Sequence, residues 1–102
     1  MIYNKLVRDK IPEIIETGGQ KPVTRILDKE EYMTALEQKL DEEVQEFHKD
    51  KNLEELADIL EVVYALTEAK GHTLEALTET CDRKRNVRGG FQERIFLISN
   101  EG

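Results

Sequence analysis

The chain has 102 residues, 38% of them hydrophobic and 36% charged, and a formal net charge of -7. That length predicts a single domain over 1–102 with an adequate but not large core, and the acidic balance argues against non-specific binding to nucleic acid or anionic membranes. With Cys81 as the one cysteine, an internal disulfide and a cysteine-based zinc site are both excluded.

No apolar run approaches the ~20 residues of a membrane helix. The opening Met1-Ile2-Tyr3-Asn4-Lys5-Leu6-Val7-Arg8 lacks the charged head and continuous apolar run of a signal peptide. A cytoplasmic location is the expectation.

In chain order, Leu6 to Glu16 reads as a short helix. Proline is tolerated only in a first turn, so Pro12 moves the start to near Asp9, and Gly18-Gly19 ends it. From Pro22 to Leu27, Val23, Arg25 and Leu27 alternate with Thr24 and Ile26, which predicts a short strand. Asp28 and Glu31 have capping-box spacing and open a long helix. Its apolar face is Tyr32, Leu36, Leu40, Val44 and Phe47, spaced three or four apart.

The pattern fades at His48 to Lys51, and Asn52 is a good N-cap for a second long helix, Leu53 to Lys70, stopped by Gly71. Thr73 caps a third, which runs to about Val87 before Gly89-Gly90 and carries Cys81 as a small core or boundary residue. Arg94 to Ser99, with Ile95, Phe96, Leu97 and Ile98, reads as a second short strand able to pair with the first. The short turn between the first two long helices predicts that they pack antiparallel. His48 and His72 fall at helix ends or turns and are expected to be exposed, without a role.

Charge is unevenly spread. Acids dominate from Asp41 to Glu61, and bases from Arg83 to Arg94, with Arg83, Lys84, Arg85, Arg88 and Arg94. Such a division can hold a metal and a phosphate side by side. Glu43 and Glu46 are three apart on one helix, and Glu55 and Asp58 three apart on the next, so each pair shares a helical face.

Asp58 projects with Ile59, Val62 and Leu66, and Glu43 borders the stripe of Leu36, Leu40 and Phe47; both are expected in or beside the core. Antiparallel packing would gather four acids that repel one another, and a hard cation such as Mg²⁺ or Mn²⁺ would relieve that repulsion. Bland roles compete: Glu37, Asp50 and Glu54 suit a solvated face, and Asn52 with Glu55 could simply be a capping box. Positive charge at the end of the third helix likewise suits its dipole.

The segment Tyr3-Asn4-Lys5-Leu6-Val7-Arg8-Asp9-Lys10-Ile11-Pro12-Glu13-Ile14-Ile15 resembles the N-terminus of small MazG-like proteins of the all-α nucleoside triphosphate pyrophosphohydrolase superfamily. The similarity continues through Lys39 to Glu46, Glu55 to Glu61, and Lys84 with Arg88-Gly89-Gly90-Phe91, and so spans nearly the whole chain.

The resemblance implies a mainly α fold, an antiparallel helical bundle, to which the residue pattern adds two short strands able to pair near the ends. It implies Mg²⁺, with Mn²⁺ as substitute, on Glu43, Glu46, Glu55 and Asp58, and hydrolysis of a nucleoside triphosphate between its α and β phosphates to a monophosphate and pyrophosphate. Glu42 is the candidate base. Lys84 and Arg88, helped by Lys5, Arg8 and Lys10, are the candidate phosphate ligands. A homodimer or homotetramer is implied as well. Phosphoribosyl-ATP is an alternative substrate, and a non-catalytic helical module that binds a nucleotide or oligomerises is an alternative function.

Overall fold

The computed structural model describes residues 2–102, and among them it forms helices and no strand. The first helix, α1, is Ile11–Thr17. Pro12 lies in its first turn, where the missing N–H would have had no helical partner. The residues before it make a turn closed by Ile11 N–H donating to the Arg8 carbonyl at 3.0 Å, so α1 starts two residues later than Asp9. Gly18 and Gly19 end it, and Gly19 takes a φ of 90° that side-chain-bearing residues seldom adopt.

The second helix, α2, is Lys29–Asp50, and its capping box is complete. Glu31 N–H donates to Asp28 Oδ1 at 2.9 Å, and Asp28 N–H donates to Glu31 Oε1 at 3.2 Å. The helix stops at Lys51, which turns left-handed with φ 53°, and Asn52 caps the third helix, α3, Leu53–Ala69. A connection this short makes α2 and α3 a hairpin, and they pack on each other. Thr73 caps the last helix, α4, Leu74–Arg88, by accepting from Ala76 N–H at 3.0 Å, and α4 rests more lightly on α3.

The two expected strands do not form among the described residues. Segment 22–27 is drawn onto the start of α2 by Arg25, whose guanidinium donates twice to Glu31, at 2.7 and 3.1 Å. Arg94 has φ 57° and its N–H donates to the Phe91 carbonyl, so the start of the second apolar run is a turn. Val23, Ile26 and Ile95 to Ile98 stay exposed with no ladder partner. Alternation in the first segment and an apolar run in the second gave them strand character; a strand also needs a neighbour, and none pairs with them among the described residues.

The core is smaller than the composition suggests. Leu36 and Val62 are its buried apolar residues. The radius of gyration is 18.1 Å, against about 13 Å for a compact chain of this length. The accessible surface is 9592 Å², where a compact monomer of this mass exposes about 5,900 Å². Leu53, Leu56 and Leu60 leave an uncovered apolar stripe on α3. Cys81 is exposed, not a core or boundary residue. No helix of the described residues is long and apolar enough to cross a membrane.

Candidate metal centre

The hairpin turn decides where the acids go. Glu43 and Glu46 approach the end of α2, and Glu55 and Asp58 lie in the first turns of α3, so the reversal at Lys51-Asn52 sets the pairs face to face. Carboxylate oxygens of Glu43, Glu55 and Asp58 all come within 4.8 Å of one another, each residue half-buried. A second set, Glu46, Asp50 and Glu55, meets the same limit at a more exposed place. Glu55 belongs to both and is the hinge of the site.

The two roles that competed for Glu55 prove separable. Its backbone N–H donates to Asn52 Oδ1 at 3.0 Å, which caps α3. Its side chain does not return the bond to Asn52 and instead sits among the acids. Partial burial pushes the Glu55 carboxyl above its ordinary range, and the charges of Asp50, Asp58, Glu46 and Glu43 push it the same way.

Two cations already answer part of this charge. Arg8, from the segment before α1, donates to Asp58 Oδ1 at 2.7 Å. Lys39 Nζ lies 3.5 Å from Glu43 and 3.4 Å from Glu42. The Glu43 side chain is 13% exposed, while the Asp58 side chain is 39% exposed and borders solvent more than its apolar neighbours suggested.

The donor set suits a small hard cation. All donors are carboxylate oxygens, and opposite ligands about 2.1 Å from a Mg²⁺ ion lie about 4.2 Å apart, so a spread within 4.8 Å needs only small side-chain shifts. Glu43, Glu55 and Asp58 would hold the ion, with Glu46 and Asp50 alongside.

The remaining candidates fall outside this cluster. Glu42 belongs to neither set and pairs with Lys39. Among the phosphate candidates, Arg8 reaches the acids, and Lys5 Nζ stands 5.5 Å from the centre of the Tyr3 ring. Lys84 and Arg88 are exposed on α4 and form no ion pair among the described residues; their neighbour Arg85 pairs with Asp82 at 3.4 Å. Lys10 is the N-cap residue of α1 and is likewise exposed. Asp50 is exposed, as a solvated face requires, and it also comes near Glu46 and Glu55; its four-residue spacing from Glu46 is the signal for that second set.

No protein-family model matches the chain, and no solved structure matches it. A stretch of 42 residues is 57% identical to an uncharacterized protein of Mycolicibacterium smegmatis, covering 41% of this chain. It spans 43% of that relative's length.

Proposed function

We propose that the chain is a Mg²⁺-dependent nucleoside triphosphate pyrophosphohydrolase, with Mn²⁺ able to replace Mg²⁺. The observation that supports it best is the meeting of Glu43, Glu55 and Asp58 across the α2–α3 turn. Carboxylates so arranged raise one another's energy; the Glu55 carboxyl is held above its ordinary range by partial burial first and by the charges of Asp50, Asp58, Glu46 and Glu43 after it. The resemblance noted from the sequence supplies the reaction: cleavage between the α and β phosphates.

When bound, Mg²⁺ would supply charge neutralisation for the phosphate oxygens and a more acidic water. Glu43, Glu55 and Asp58 orient the reacting centre, and Glu46 completes the ligand set. Glu42 is the candidate to take the proton from the attacking water, once it leaves Lys39. Arg8 faces the centre and can receive a phosphate oxygen in place of Asp58. Lys84 and Arg88, with Lys5 and Lys10, are the further phosphate ligands, free to swing because their side chains are exposed.

The uncovered apolar surface supports assembly into a homodimer or homotetramer. It is also the observation that favours a second reading, in which the helices serve chiefly to oligomerise and bind a nucleotide without turnover. Incubation with Mg²⁺ and a panel of ribo- and deoxyribonucleoside triphosphates plus phosphoribosyl-ATP separates the readings. Pyrophosphate and a monophosphate are expected. Nucleotide binding with no turnover of any substrate would favour the oligomerising module.

A further inference from the structure

Further along α3 from the acids lies an open cleft of about 450 Å³ whose lining includes Asp9, Tyr32, Glu61, Tyr64 and Glu68. That volume falls in the range of roughly 300–1,000 Å³ typical of small-ligand sites. Its position follows from helix geometry. Asp58, Glu61, Ala65 and Glu68 succeed one another at three- and four-residue spacing on α3, so the cleft continues the face that carries the metal candidates. Asp9 is the residue after Arg8, whose guanidinium holds Asp58, and this brings the N-terminal segment to the same edge. From Asp58 to Tyr64 the rise along the helix is about 9 Å, room for one sugar between a phosphate and a base.

The lining is chemically specific. Tyr32 comes from α2 and Tyr64 from α3, and they supply two aromatic side chains on which a planar ring can stack. Asp9, Glu61 and Glu68 offer only hydrogen-bond acceptors when ionised. The carboxylates repel phosphate, so a nucleotide here must turn its base inward and its phosphates toward the cation. A base that fits must present donors. Guanine has its ring N1–H and its amino group side by side and can give both to one carboxylate. Adenine and cytosine give one amino group. Thymine and uracil have a single ring N–H between two carbonyl oxygens, which a carboxylate repels.

We infer that this cleft is the base subsite, and that it selects nucleotides whose base carries an exocyclic amino group, guanine foremost, over thymine and uracil. The inference rests on the nucleotide reading of the neighbouring acids, yet base selection can be measured apart from turnover. The experiment is calorimetric titration of the full chain with dGMP, dAMP, dCMP, dTMP and ribose 5-phosphate, for the natural sequence, Glu61→Gln, Glu68→Gln and Tyr64→Leu, each checked for helicity by circular dichroism.

A hydrogen-bonded charged group is worth about a tenfold change in affinity or somewhat more. Guanine binding should therefore exceed thymine binding by at least about tenfold, and Glu61→Gln or Glu68→Gln should shrink that ratio. Both glutamates are exposed, so neither change threatens folding. Equal affinity for all four bases, affinity no better than ribose 5-phosphate, or a ratio untouched by both glutamine variants would overturn the subsite. A preserved base preference without pyrophosphate release from any triphosphate would sink the catalytic reading and leave the subsite standing. Pyrophosphate release with no base preference would do the reverse.

Discussion

Arg8 and Asp58 are fifty residues apart in the chain and are joined by a 2.7 Å ion pair. The pair ties the segment before α1 to the face of α3 that carries the acids. Arg8 and a cation would draw on the same Asp58 carboxylate, so they should compete. Exposed pairs of this kind are worth about 0.2–1 kcal/mol, and the Arg8 side chain is 55% exposed. Arg8→Ala should thus tighten Mg²⁺ binding by up to about fivefold while slowing turnover, as measured by calorimetry beside a pyrophosphate assay. Weaker Mg²⁺ binding in the variant would show that Arg8 does not oppose the cation.

Glu55 makes a different prediction. Its folded-state pKa is raised, chiefly by burial and then by Asp50 and Asp58, so its charged form disfavours the metal-free fold. The sign follows from linkage: with a folded pKa above the unfolded one, stability is lost as pH rises through the folded value. At pH 7 without metal, Glu55→Gln should melt at a higher temperature than the natural sequence. With Mg²⁺ at about 100 times its dissociation constant the natural sequence should gain about 2.7 kcal/mol, and the variant much less. A thermal melt with chelator and then with Mg²⁺ checks both halves, and a variant that is less stable under chelator would contradict the crowding of charge at Glu55.

Glu31 behaves oppositely. Hydrogen bonds from Arg25 and from the Asp28 backbone hold its carboxyl down at about 2, from an ordinary 4.5. The stability it confers is present above pH 4.5 and is lost as pH falls toward 2. Acid should therefore fray the start of α2 and release segment 22–27. Glu31→Gln should show that release already at pH 7, with less further change on acidification. Hydrogen exchange of residues 25–32 at pH 7 and pH 3 reads this directly, and equal protection in both proteins at both pH values would count against it.

Much of the helical plan could be read from local chemistry. Asp28 with Glu31, Asn52 and Thr73 are caps whose spacing specifies where helices start, and the structure uses all of them. Glu43, Glu55 and Asp58 could be paired because one short turn leaves few ways for two helices to meet. The strands could not be settled locally. Val23 and Ile26, like Ile95 to Ile98, alternate or cluster as strand residues do, but pairing depends on what lies beside them. The role of Arg8 was equally hidden, since no spacing rule links a segment before α1 to a residue in α3. Tyr32 read as one member of an apolar stripe, whereas it lines a cleft and is 37% exposed.

The uncovered leucines of α3 carry a further expectation. Leu53, Leu56 and Leu60 repeat at three and four residues and are 46–80% exposed. Surface of this kind, on a chain whose accessible area is 9592 Å², fits the large apolar interfaces of obligate oligomers. Sedimentation at micromolar concentration should give a dimer or tetramer, and Leu56→Glu with Leu60→Glu should shift it to monomer. A natural chain that sediments as a well-folded monomer would rule the assembly out.

Glu43 offers the most direct test of the metal centre. Its side chain is only 13% exposed, and from α2 it meets Glu55 and Asp58 of α3. The measurement is Mg²⁺-dependent pyrophosphate release from a nucleoside triphosphate by the natural sequence, Glu43→Gln and Asp58→Asn, with helicity checked alongside. Pyrophosphate with a nucleoside monophosphate from the natural sequence, and loss of release in both folded variants, is the predicted result. Release unchanged in both variants, or orthophosphate as the product, would contradict it.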